Sequence, residues 1–316
     1  MKKQQETKKL LHPRSKHRDR YDFKKLAEIN PKLKDFVAKN KFDDLSVDFF
    51  NAKAVLSLNT SLLQLHYNLK EWSIPENFLC PPIPSRADYI HYAADLLSEE
   101  NDLKIPKGNN INCMDIGTGA SCIYPLIGNA EYGWNFVGTD INTTALKAAQ
   151  NNVTINNKQA QIVLTLQKDK ESIFEGLLKK TDHFDLCLCN PPFHSSAEEA
   201  AKSSMRKNSN LKNKKISKPA LNFGGQSAEL WCAEGEYGFI QQMVKESELY
   251  QNNFLWFTVL VSKGSNLHHF EKWLEEKKVT KTKIIEMKQG QKVSRLLCWT
   301  FLNSKQRNVW INERWK

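Results

Sequence analysis

Residues 111–121 read INCMDIGTGAS, and the architecture turns on how they are read. A short apolar run delivers Asp115, and Gly117 and Gly119 follow at once. Glycine turns tightly and lets a backbone approach a ligand without a Cβ in the way. A strand that ends in such a turn is half of a nucleotide-type site. Alone the G-x-G is a weak sign, because a purely structural strand-to-helix turn looks the same.

Downstream the rhythm repeats. NFVGTD (135–140), QIVLTLQ (161–167), FDLCLCN (184–190) and FLWFTVLV (254–261) are short apolar or alternating runs. Helical or glycine-bearing segments separate them. Strands alternating with helices join by right-handed crossovers into a mostly parallel sheet. KIIEM (283–287) and RLLCWTFL (295–302) follow a helix expected over Asn266 to Lys277 and suit a closing hairpin. The fold expected is α/β: a seven-stranded, doubly wound sheet with an antiparallel edge.

Ligands of such sheets bind outside the carboxyl ends of the strands. Asp140 ends the second strand, 23 residues after Gly117. An acid there accepts the ribose hydroxyls of a nucleoside; its competing role is to cap the helix that starts near Asn142. Asn190 ends the fourth strand and leads into Pro191, Pro192 and Phe193. The three tips are expected to share one crevice.

Asn-Pro-Pro-Phe at a strand tip suits one kind of chemistry. The exocyclic amine of adenine is a poor nucleophile, because its lone pair is delocalised into the ring. The amide oxygen of Asn190 and the carbonyl of Pro191 can accept its two N–H groups and hold the nitrogen toward an electrophilic methyl group. The prolines fix the carbonyl direction, and Phe193 offers a face for a flipped base. No strong base is needed, since the proton leaves after the nitrogen becomes cationic. His194 is therefore read as a wall or a phosphate contact. The bland alternative is a proline-stiffened loop with Phe193 in the core.

The formal net charge of +11 points to a polyanionic partner. Ten of the first 25 residues are Lys or Arg against three acids. The first dozen residues are expected to be disordered, while Arg14, Lys16, Arg18 and Arg20 suit phosphate contact, with His12 and His17 beside them. A second basic stretch, residues 202–218, carries seven Lys or Arg, Arg206 and Lys207 among them, and no acid. It lies in an insertion at 195–232, well placed to hold a nucleic-acid backbone beside the Asn-Pro-Pro-Phe edge.

Residues 22–84 read as a small helical appendage in which Pro31 separates two short helices. CPPIPSR (80–86) marks the boundary, so a basic arm and appendage (1–84) precede the main domain (85–316). Ser85 is the expected N-cap of the next helix, whose buried stripe is Ile90, Ala93, Ala94 and Leu97. Trp256 and Trp299 read as core, and His268 and His269 as surface. Seven cysteines without a Cys-x-x-Cys pair suggest reduced core thiols in a cytoplasmic protein and no metal site. No secretory signal or membrane span is expected.

DIGTGASCIYPLIG together with CNPPFH resembles the amino-methyltransferase group of class I S-adenosylmethionine enzymes. HPRSKHRDRYDF, FLCPPIPSRADYIHYAADLL, EYGWNFVGTD, LNFGGQSAELWC and MKQGQKVSRLLCWTF are similar to the bacterial RlmF family, and these blocks cover nearly the whole chain. The human methyltransferase-like 16 protein belongs to the same wider group. The resemblance implies a Rossmann-like fold, S-adenosylmethionine as cofactor, and N6 methylation of one adenine in 23S ribosomal RNA or in a large-subunit assembly intermediate. It implies cofactor contacts at Arg86, which suits a carboxylate, and at Asp115, Gly117, Gly119, Asp140 and Asn190. Lys168 or Asp169 is expected near the cofactor's adenine ring, and the basic N-terminus on RNA. The ribose ligand at the place of Asp140 is Glu in some relatives.

Residue chemistry alone does not choose RNA over DNA; the resemblance does. The competing functions are a protein glutamine-amide methyltransferase with a similar clamp, another structured-RNA adenine-N6 methyltransferase, and a non-catalytic RNA-binding module. The basic arm and insertion oppose the first, and the intact Gly117, Asp140 and Asn190 set opposes the last. The sequence carries no signal for oligomeric state; a monomer is the expectation.

Overall fold

The computed structural model describes residues 10–76, 78–192, 235–289 and 292–315. Phe193, His194, Arg206, Lys207 and the whole 195–232 insertion lie outside the described residues.

The appendage starts with α1 (Phe23–Ile29), capped by Asp22, whose side chain accepts the amides of Lys24 and Lys25. Pro31 then opens a 3-10 turn over Pro31–Phe36, so the second expected helix is only this short turn. A hairpin the sequence did not announce follows, β1 (Val37–Lys39) with β2 (Leu45–Val47). Three-residue strands are too short to show a period. Helix α2 (Ala52–Tyr67) closes the unit. One of its faces packs on Phe23, Leu26 and Leu33. Another sends Val55, Leu63 and Tyr67 into the main core.

Helix α3 spans Ile83–Ser98. Pro82, not Ser85, takes the capping place, and Pro84 sits in the first turn, where a missing N–H does no harm. The Ser85 hydroxyl donates back to the Pro82 carbonyl at 3.0 Å. The expected 84/85 boundary thus falls inside this helix. Its stripe of Ile90, Ala93, Ala94 and Leu97 is fully buried.

Strands β3 (Asn112–Ile116), β4 (Asn135–Asp140) and β5 (Ile162–Leu166) alternate with α4 (Ile123–Tyr132) and α5 (Thr143–Ile155). Then come β6 (Phe184–Cys189), α6 (Gly235–Ser247), β7 (Phe254–Val261), α7 (Leu267–Glu276), β8 (Lys281–Gln289), β9 (Lys292–Thr300) and α8 (Ser304–Arg314). The sheet order is β5-β4-β3-β6-β7-β9-β8, with β9 antiparallel to both its neighbours. This is the seven-stranded, doubly wound sheet with an antiparallel edge that the sequence predicts. The hairpin edge and the Asn266–Lys277 helix also stand, to within a residue.

β6 and β7 are buried along their whole length. Helices cover both faces of a parallel sheet, so its central strands carry apolar residues on both sides. Leu186 and Leu188 join Leu126 of α4 and Ile90 of α3 on one face. Cys187 and Cys189 join Met243 of α6 and Phe270 of α7 on the other. Trp256 and Trp299 are fully buried, one on each face, as expected. Six cysteines are described; all are buried thiols outside any disulfide among the described residues.

β3 and β6 are parallel neighbours, and the order in which strands are added reverses between them. β4 and β5 lie to one side of β3; β6 and β7 lie to the other. Ile116 pairs with Thr139 of β4 and with Cys189 of β6. That register brings Gly117, Asp140 and Asn190 to one edge, at the point where such sheets open a crevice.

Residues 10–20 pack on the main domain, which corrects the expectation of disorder for Leu10, Leu11 and His12. Leu11, His12, Ser15 and His17 are buried. His12 Nε2 lies 2.8 Å from Asp95 of α3, and His17 Nε2 lies 2.9 Å from the Tyr67 hydroxyl. Neither histidine is free for RNA; both fasten the arm. Burial lowers the pKa of His12. His268 and His269 are exposed, as expected. No helix among the described residues is long and apolar enough to cross a membrane. Among those residues no group of three or more His, Cys, Asp or Glu is arranged to hold a metal.

Candidate active site

A cavity of about 490 Å³ lies against the carboxyl ends of β3, β4 and β6. Gly117, Gly119, Asp140, Arg86, Asn190, Pro191 and Pro192 all line it. The sequence placed these residues in one crevice, and the fold brings them together. Asp115, Lys168 and Asp169 are not on its wall.

Gly117 and Gly119 have φ of 71° and 62°, in the left-handed region where a side chain is strained. The turn they make is tied to β4. Thr118 N–H donates to the Thr139 carbonyl at 2.9 Å. Gly119 N–H donates to Asp140 Oδ2 at 2.9 Å, and Asn142 N–H donates to Oδ1 at 2.8 Å. Asp140 therefore braces the glycine turn and keeps an exposed edge on the cavity. It does not cap α5; Asn142 does, accepting from Thr144 and Ala145. Burial raises the pKa of Asp140, and these amides oppose the rise.

Arg86 is nearly buried in the first turns of α3, its guanidinium 5.7 Å from the centre of the Tyr124 ring. The Tyr124 hydroxyl is buried beside Arg86. Asp115 lies beneath the turn, 1% exposed, with the Thr118 hydroxyl beside its carboxylate. Burial pushes its pKa up to about 7, and the neighbouring Asp140 adds to the rise.

The third strand's contribution differs from expectation by one residue. Gln167 lines the cavity, whereas Lys168 and Asp169 are exposed. The strand ends at Leu166, so the directions of these side chains are set by the turn that follows and not by strand alternation. Asp169 instead ties the next turn, accepting Glu171 N–H at 3.0 Å and the Ser172 hydroxyl at 2.7 Å. Lys170, Glu171 and Ser172 then reach the cavity. Tyr124, Gln167 and the α6 residues Phe239 and Gln242 escaped sequence reasoning. Gln167 was legible as the polar end of QIVLTLQ; α6 carries nothing beyond an ordinary amphipathic pattern. Its Glu246 accepts the amides of Ile173 and Phe174 at 3.0 and 2.8 Å, which docks the loop after β5 on that helix.

At the tip of β6, the Asn190 side-chain oxygen is buried and lacks a hydrogen-bond partner among the described residues. A buried, unmatched acceptor is costly, by about 1–3 kcal/mol, and marks a place where a donor is wanted.

Arg14, Lys16, Arg18 and Arg20 each make a contact within the chain. Arg14 pairs with Asp95 at 2.7 Å and donates to the Tyr132 hydroxyl and the His91 carbonyl. Lys16 pairs with Glu131 at 2.6 Å, and Arg20 with Asp44. Arg18 donates to the Pro13 carbonyl at 3.4 Å.

The donor set fits a nucleoside cofactor that ends in an amino acid. Two left-handed glycines give close approach, Asp140 borders the wall, and Arg86 is a buried cation beside Tyr124. The volume is in the range of small-molecule sites.

Comparison with known proteins agrees with that chemistry. A family profile described as RNA methyltransferase matches residues 5–303. The ribosomal RNA large subunit methyltransferase F of Flavobacterium johnsoniae is 51% identical over 303 residues, 95% of this chain and 96% of the relative. That of Cytophaga hutchinsonii is 48% identical over 311 residues, 98% and 97% of the two chains. The human METTL16 catalytic domain, solved with MAT2A 3′UTR hairpin 1, superposes with a TM-score of 0.78 at 29% identity, covering 93% of this chain and 96% of that one. The N-terminal domain of human METTL16 in complex with SAH gives 0.72 at 27%, with 93% and 99% covered. The sheet is accordingly that of a class I methyltransferase, and the chain belongs to the RNA methyltransferase family.

Proposed function

We propose that this RNA methyltransferase moves a methyl group from S-adenosylmethionine to the exocyclic N6 of one adenine in 23S ribosomal RNA. The target base is flipped out of its stack against Asn190, Pro191, Pro192 and Phe193. The observation that carries the reading is the Asn190 amide oxygen, buried at the cavity edge with no donor of its own among the described residues. The names of the relatives support a large-subunit RNA substrate. A neighbour solved with SAH supports the cofactor.

The bound cofactor supplies an electrophilic methyl carbon on a sulfonium. Gly117 and Gly119 leave room for it, Asp140 receives its ribose hydroxyls, and Arg86 pairs with its carboxylate. Asn190 and the Pro191 carbonyl accept the two N–H groups of the base. That favours tetrahedral character at the nitrogen, loosens its lone pair from the ring π system and holds it toward the methyl carbon. Phe193, outside the described residues, is assigned the stacking face by its place in the sequence. The basic arm and the 195–232 insertion, with Arg206 and Lys207, hold the RNA backbone.

The test is mass mapping of methylated nucleosides in 23S ribosomal RNA from cells with and without this gene. Loss of a single N6-methyladenine is the expected result. An unchanged RNA map, with a methyl group missing from a ribosomal protein glutamine, would replace this reading with an amide methyltransferase.

A further inference from the structure

The stretch before Asn190 is held in an unusual way. β6 stays paired with β3 as far as Cys189. On its other side the pairing with β7 ends two residues earlier, at Cys187 with Phe257. Cys187 and Cys189 both turn their backbone groups toward β7, because strand groups alternate in direction. At the tip the buried Cys189 backbone meets the Tyr89 hydroxyl of α3, whose oxygen lies 3.2 Å from its nitrogen and 3.3 Å from its carbonyl oxygen.

Two hydroxyls hold this end of the strand. The Thr258 hydroxyl of β7 donates to the Cys187 carbonyl at 2.7 Å. Its proton is committed there, so the 2.8 Å contact with Tyr89 of α3 has the Tyr89 hydroxyl as donor. The Tyr89 oxygen in turn accepts the Cys189 N–H at 3.2 Å. A relay results: the Cys189 amide to Tyr89, Tyr89 to Thr258, and Thr258 to the Cys187 carbonyl. Both side chains are fully buried, and the Tyr89 ring meets Tyr124, a cavity wall, edge-on at 5.1 Å. Arg86, one helical turn before Tyr89 on α3, lines that same cavity.

We infer that Tyr89 and Thr258 are positioning residues for the acceptor pair at Asn190 and Pro191. They tie β6 to β7 and to α3 at the tip and so fix the peptide from which Asn190 projects. The inference rests on the assignment of Asn190 to the target amine. An in-line transfer is sensitive to placement, and an error near 1 Å lowers the rate by about 10²-fold.

The experiment measures kcat on ribosomal RNA from a strain lacking the gene, the Kd for S-adenosylmethionine, and the melting temperature. It uses the full chain and the variants Asn190→Ala, Tyr89→Phe, Thr258→Val and Thr258→Ser. Tyr89→Phe and Thr258→Val are each expected to lower kcat by about ten- to a hundredfold, with Kd within about twofold of wild type. Thr258→Ser, which keeps the hydroxyl, restores most of what Thr258→Val loses. The double variant is no slower than the worse single one, because both interrupt one relay. A lower melting temperature with kcat intact, or a Kd that weakens in step with kcat, would overturn the inference. If Tyr89→Phe does not fold, the Thr258→Val and Thr258→Ser pair decides. Unimpaired turnover in Asn190→Ala sinks the amine-clamp assignment itself, and the inference with it. Impaired Asn190→Ala beside normal Tyr89→Phe and Thr258→Val sinks the positioning role alone.

Discussion

Asp140 and Gly119 are joined by one hydrogen bond, amide to carboxylate, at 2.9 Å. The residue expected to hold a ribose is therefore also the brace of the turn that makes room for the cofactor. Asp140→Asn presents an NH₂ group to an N–H donor, or rotates its oxygen away from the cavity side. Cofactor affinity is expected to fall about 10- to 100-fold, from the loss of one or two charged hydrogen bonds. Calorimetric titration with S-adenosylmethionine checks it; an unchanged Kd would remove Asp140 from the site.

Asn190→Ala removes the amide oxygen and leaves the backbone in place. Turnover should drop by roughly 10²- to 10³-fold, comparable to loss of one preorganised group in a transition state. RNA affinity, set by phosphate contacts elsewhere, should hold. Single-turnover rates and filter binding, run on one preparation, separate the two.

Asp115 makes stability depend on pH. Its carboxyl is pushed up to about 7 in the folded chain, against about 4 when unfolded. Between those values the folded state keeps a proton that the unfolded chain has lost. Its contribution is full below about pH 4 and drains away as pH rises through 7. Asp88, raised to about 6 by burial, acts in the same direction. Cofactor-free Asp115→Asn should match wild type near pH 4 and exceed it by about 2–4 kcal/mol at pH 8. Urea unfolding at both pH values reads this; a gap that does not grow with pH contradicts it.

The cations of the arm should divide into two classes. Arg14 is tied to Asp95, Tyr132 and His91, so Arg14→Ala is expected to destabilise the fold by about 1–3 kcal/mol. Arg20 is more than half exposed and meets only Asp44 among the ion pairs. Arg20→Ala should leave melting nearly unchanged and reduce the salt slope of RNA binding by about one. A salt slope equal to wild type would show that Arg20 touches no phosphate.

The sheet was legible because β4, β6 and β7 are apolar runs of strand length, and because Gly117, Asp140 and Asn190 each stand at a run's end. Their meeting follows from the strand order, which chain connectivity and handedness nearly dictate. What stayed hidden depended on partners distant in sequence. His12 and His17 read as RNA ligands, since nothing near them foretells Asp95 or Tyr67. Gln167 was missed by one position, because the turn after β5 and not the strand sets its direction. Tyr89 drew no reading from the sequence, because its partners Cys189 and Thr258 lie 100 and 169 residues away.

The docked arm bears on how the chain is made. Arg14 waits for Tyr132, which follows it by 118 residues. At a synthesis rate of about 5–20 residues per second, that interval is roughly 6–24 s. Lys16 likewise waits 115 residues for its counter-charge Glu131, next to a translating ribosome whose own RNA is rich in phosphate. The arm thus docks only once partners more than a hundred residues on have been made.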